Sequence, residues 1–90
     1  MAIKYITEDV IRAKPVNDAS QHIYHIPIYN IAYFTSETSP YKIEIFLFDG
    51  GSVPLWYFPD SVEEVKEYED DIQKLTKICA KIKEYNKKED

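Results

Sequence analysis

Ninety residues are enough for one domain with one modest core. Sixteen acidic residues against eleven lysines and arginines leave a net charge of −5, which disfavours a surface built around nucleic-acid phosphates. A single cysteine excludes an internal disulfide, and two glycines exclude a phosphate-cradling Gly-x-x-x-x-Gly-Lys loop. No apolar run suits a membrane span or a signal peptide, so a cytoplasmic protein without a membrane partner is expected.

The first twenty residues carry mixed signals. Ile3-Lys4-Tyr5-Ile6 suits a strand. Thr7, followed by Glu8 and Asp9, suits a short helix ending before Pro15, and a strand continuing to Ala13 fits as well. Asn17 to Ser20 reads as a loop. Residues 21–58 are expected to be antiparallel strands. Ile23, Tyr24, Ile26, Ile28, Ile31 and Tyr33 supply β-branched and aromatic content, and Pro27 with Tyr29-Asn30 marks an edge, a bulge or a turn between two strand pieces. Thr35 to Pro40 should be an exposed hairpin loop.

Lys42 to Phe48 and Val53 to Phe58 read as the arms of a hairpin closed by Asp49-Gly50-Gly51-Ser52, since paired glycines supply the positive φ of a tight turn. Both arms are apolar on both faces. Pro54 cannot donate to a ladder and belongs at a strand start or on an edge.

After Pro59 the period changes. Asp60 or Ser61 can cap a helix, with Glu63 or Glu64 completing a capping box. Val65, Tyr68, Ile72, Leu75, Cys79 and Ile82 then recur every three or four residues. Six acidic residues between Glu63 and Asp71 and six lysines between Lys74 and Lys88 complement the helix dipole. The expected fold is α+β: one small antiparallel sheet of three to four strands around the Asp-Gly-Gly hairpin, packed by a long C-terminal amphipathic helix over 61–85, with 86–90 as a frayed tail.

A helix of that length spans about 38 Å at roughly 1.5 Å per residue, against about 20 Å for a six-residue strand. Part of it should overhang the sheet. Leu75, Ile78, Cys79, Ile82 and Tyr85 would then be exposed unless the N-terminal segment or a second copy of the chain covers them, which makes a homodimer the expected state. One helix also covers only one sheet face, leaving Phe46, Phe48, Trp56 and Phe58, or the opposite set, as a candidate interface. Glu63, Glu64, Glu67, Glu69, Asp70 and Asp71 are a candidate acidic surface.

The run Ile26-Pro27-Ile28-Tyr29-Asn30-Ile31, the hairpin at Asp49-Gly50-Gly51, the aromatic strand after it and Asp60-Ser61-x-Glu63-Glu64 opening a helix resemble small pleckstrin-homology-like, sheet-plus-helix domains of bacterial, archaeal and phage proteins. The resemblance covers residues 26–75 and carries over no functional residue. It implies a binding role, usually toward a protein or a lipid headgroup; the lack of basic residues in the loops argues against lipid.

Catalytic chemistry finds little support. His22 and His25 are the only histidines, and a tetrahedral metal site needs further ligands, so no metal or cofactor is expected. No nucleophile-base spacing suggests hydrolysis. The expected function is that of an acidic, non-catalytic module that binds another protein; its compactness would suit a phage- or virus-encoded modulator of a host protein. The alternative is nucleotide or single-stranded nucleic-acid binding through the aromatic sheet: ten aromatics lie between Tyr24 and Phe58, but Lys42 is the only lysine or arginine between Pro15 and Val65.

Overall fold

The computed structural model describes residues 2–14 and 23–88, with side chains through Glu84. The chain is α+β. Among the described residues its strands number six in two sheets, where the sequence suggested three or four in one. β1 (Ile3–Tyr5), β2 (Val10–Ala13) and β3 (Tyr24–Pro27) form one antiparallel sheet; β4 (Ile31–Thr38), β5 (Tyr41–Leu47) and β6 (Ser52–Trp56) form the other. A single 3-10 turn, Ile28–Asn30, joins the sheets, and α1 (Val62–Lys88) ends the fold.

Of the two N-terminal alternatives the strand prevails. Ile6 N donates to Val10 O at 2.9 Å, closing a hairpin in which Tyr5 faces Ile11. The division into two sheets begins at Pro27, whose lost donor ends β3. Ile28 N then bonds Asp9 O at 2.8 Å, and Asn30 O accepts Phe48 N at 2.8 Å, so the turn is fastened to both sheets. The expected loop over Thr35–Pro40 is mostly strand: Glu37 pairs with Lys42 and Thr38 with Tyr41, leaving Ser39 and Pro40, joined by a cis peptide, as the turn.

The glycine hairpin joins β5 to β6. Gly50 takes φ +96, and Asp49 Oδ1 accepts Gly51 N at 2.8 Å. At the helix start Ser61 Oγ accepts Glu64 N at 3.3 Å while the Glu64 carboxylate accepts Asp60 N, a capping exchange set one residue back from the usual box.

The buried faces meet in one core. Ile3, Ile11 and Ile26 come from the first sheet, Ile43, Ile45 and Leu55 from the second, and Tyr68, Leu75, Ile78 and Ile82 from α1. The helix stripe is therefore buried within the chain, in the core that both sheets share, and the overhang expected from helix length does not leave Leu75, Ile78 or Ile82 open. Strand edges are protected too. Pro54 interrupts β6, Pro27 ends β3, Tyr68 Oη donates to Glu37 O at 2.8 Å on β4, and Lys74 Nζ donates to Ile3 O at 2.9 Å on β1.

Because Ile82 is 6% exposed in this core, Ile82→Lys should destabilise the fold by on the order of 3 kcal/mol or more. Urea unfolding should show this at every protein concentration. Unchanged stability with a lowered solution mass would mean that the stripe is covered by a second copy instead.

Candidate functional site

Alternation along β4, β5 and β6 sends Ile43, Ile45, Val53 and Leu55 inward and their neighbours outward. Register then fixes the outer face. Tyr33 stands opposite Phe46, Thr35 opposite Glu44, and Glu37 opposite Lys42; across the other ladder Phe46 meets Ser52, Glu44 meets Pro54, and Lys42 meets Trp56. Nothing in the described chain packs over this face as a layer.

Its side chains pair among themselves. The Tyr33 and Phe46 rings stack with centroids 4.6 Å apart and planes 13° apart. Lys42 Nζ lies 4.5 Å from the Trp56 ring centroid and 3.4 Å from Glu44 Oε1, so the one cation is held between an aromatic face and a carboxylate. Tyr33 (54%), Trp56 (40%) and Phe58 (58%) nevertheless remain open to solvent. At the Tyr33 end the ladder slips between Ile31 and Tyr33. Beside this bulge is a hollow of about 330 Å³, lined by Ile31, Tyr33, Phe48, Cys79, Ile82 and Lys83 among others.

The sequence-derived interface residues divide accordingly. Phe48 (62% exposed), Trp56 and Phe58 lie at the surface, and Phe46 is half-buried under Tyr33. Leu75, Ile78 and Ile82 are core residues, which corrects their assignment to an interface: they are buried within the chain's own core. Cys79 is half-buried, and burial pushes its thiol up against the downward pull of Lys83, the opposite of an activated nucleophile. The Tyr85 side chain, His22 and the loop expected at Asn17–Ser20 lie outside the described residues. His25 is exposed on the first sheet, and among the described residues no three His, Cys, Asp or Glu side chains gather as a metal site.

Glu63, Glu64, Glu67 and Glu69 are exposed on α1 and Asp70 is half-buried. Asp71 is fully buried, which removes it from the acidic surface. Its Oδ2 accepts the Tyr57 hydroxyl at 2.7 Å. Burial pushes the Asp71 carboxyl above the ordinary carboxylate range, opposed by the Tyr57 hydroxyl, the Lys74 ammonium and the Ala2 and Ile3 amides. These amides act at geometries short of full hydrogen bonds, because Oδ1 is enclosed without one. Tyr57 is also pushed up, by burial and then by Asp71. Sequence reasoning missed this centre because an aspartate inside an acidic run reads as solvated; the signal was its position, three after Tyr68 and four before Leu75 on the apolar stripe.

Comparison with known proteins finds no matching family model, no matching curated protein and no matching solved structure. No helix among the described residues is long and apolar enough to cross a membrane.

The raised Asp71 pKa means that the folded state holds this proton more tightly than the unfolded chain does. The associated stability is complete below the unfolded value of about 3.9 and is lost as pH rises through the folded value. Asp71→Asn keeps an acceptor for Tyr57 and has no proton to lose. Its urea stability relative to the parent should therefore increase from about pH 4 upward and then level off. A difference that shrinks over that range would mean that the folded chain favours the carboxylate.

Proposed function

We propose that this chain is a non-catalytic interaction module that binds a partner protein through the outer face of β4–β5–β6. The observation that carries this reading is the exposure of Tyr33 and Trp56 on a sheet whose other face already belongs to the core, with Phe58 exposed just beyond the end of β6. Large aromatics on a pre-formed sheet bring much apolar area to an interface for little conformational loss, and anchors of this kind dominate binding energies. The hollow near Tyr33 lies between β4 and α1, at the margin of this face, with Ile31, Ile82 and Lys83 in its lining.

Charge favours protein over nucleic acid on this face. Glu37 and Glu44 outnumber Lys42, and Lys42 is already engaged by Glu44 and Trp56. A base could stack on Tyr33 or Trp56, but its phosphates would meet carboxylates. The pleckstrin-homology-like resemblance, resting on sequence cues between residues 26 and 75, points to the same kind of role. Small size and acidity suit a phage- or virus-borne modulator of a host protein.

A photo-cross-linking phenylalanine analogue at Phe58, introduced in the cells that make the protein, tests the reading. A discrete protein adduct is expected at Phe58, lost on Trp56→Ala, and none from the same analogue at Val62, which is 83% exposed on the helix. Equal capture at both positions, or capture of nucleic acid alone, would overturn it.

A further inference from the structure

The first sheet has an outer face as well. Ile3, Ile11 and Ile26 point into the core, so the residues between them point out. Lys4 stands opposite Arg12, and Arg12 opposite His25, which places three bases in one row across the sheet. Lys4 and His25 are exposed and Arg12 is half-buried. Like groups directly opposite one another cost stability, and no carboxylate among the described residues forms an ion pair with this row; the ion pair seen is Lys42 with Glu44, on the other sheet. Arg12 Nε is enclosed with no acceptor. Ile6 and Ile23, each about half open to solvent, add exposed apolar surface on the same sheet. In a chain of net charge −5, this face shows no paired anion among the described residues.

The same chain carries a counterpart. Glu63, Glu67 and Asp70 recur at spacings of four and three, on one flank of α1, with Glu63 and Glu67 exposed and Asp70 half-buried. From first to last they cover about 10 Å at roughly 1.5 Å per residue. The row Lys4–Arg12–His25 crosses two strand spacings, also about 10 Å at roughly 4.8 Å each.

We propose that a second copy of this chain docks on the outer face of β1–β2–β3, laying the acidic flank of its α1 across the Lys4–Arg12–His25 row. Each contact pairs two unlike surfaces, and every copy carries both. It leaves the aromatic face of the second sheet free and does not depend on the function proposed for that face. A nucleic-acid strand is the poorer occupant, because three bases offer it few contacts while the remaining surface repels it.

Light scattering on the full chain and on two glutamine variants tests this. One variant, Lys4→Gln with Arg12→Gln, loses the face and keeps the helix; the other, Glu63→Gln with Glu67→Gln, loses the helix flank and keeps the face. The unmodified chain should gain mass with concentration at about 20 mM salt and return to monomer near 0.5 M. Each variant alone should remain monomeric, and an equimolar mixture should reach about twice the monomer mass, because only one complementary contact is left. If Arg12→Gln loosens β2, Lys4→Gln alone serves as the first variant. A monomer under all conditions, a variant that associates by itself, or a mixture that does not pair would overturn the proposal. Binding of a single-stranded oligonucleotide that depends on Lys4 and Arg12, without self-association, would overturn it in favour of nucleic acid.

Discussion

Asp71 joins three parts of the chain that are far apart in sequence. Its carboxylate receives the Tyr57 hydroxyl from the end of the second sheet and faces the Ala2 and Ile3 amides at the first strand. One helical turn on, Lys74 donates to the Ile3 carbonyl. Helix side chains thus engage polar backbone along the outer edge of β1, a three-residue strand too short to persist alone. A buried carboxylate is costly unless its surroundings compensate. Here they compensate in part, which is why its proton affinity rises.

From this anchor follows the disposition of every face. With β1 held against α1, Leu75, Ile78 and Ile82 are enclosed in the core that both sheets share, and the described part of the helix leaves them unavailable to a partner. Each sheet is then left with one outer surface, and the two differ in kind. The outside of the second sheet is aromatic, with Lys42 engaged locally; the outside of the first is a row of bases lacking acids. Blocked edges at Pro27, Pro54, Glu37 and Ile3 disfavour strand addition, so the open surfaces of the described chain are these faces.

Local chemistry made much of this legible. Asp49-Gly50-Gly51 fixed the hairpin because the turn needs positive φ at Gly50, and Ser61 with Glu64 marked the helix start because an orphan amide needs an acceptor. The exposed aromatics Phe48, Trp56 and Phe58 could be named because two-faced apolar strands outnumber one helix. Long-range pairing was not legible. The sheet division at Pro27 to Asn30 depends on hydrogen bonds to Asp9 and Phe48, and the base row depends on the registers that set Lys4 opposite Arg12 and Arg12 opposite His25. Asp71 was misread because residue type was weighed above position on the stripe.

The central claim is that the helix stripe is covered within its own chain, which leaves the outer sheet faces as the open surfaces. Isotope-filtered nuclear Overhauser spectra on a mixture of labelled and unlabelled protein test it directly. The account predicts contacts between Ile3 and Lys74, and between Tyr57 and Asp71, that arise only within one chain. Finding those contacts only between chains would contradict it, because the first sheet of one copy would then be covering the helix of another.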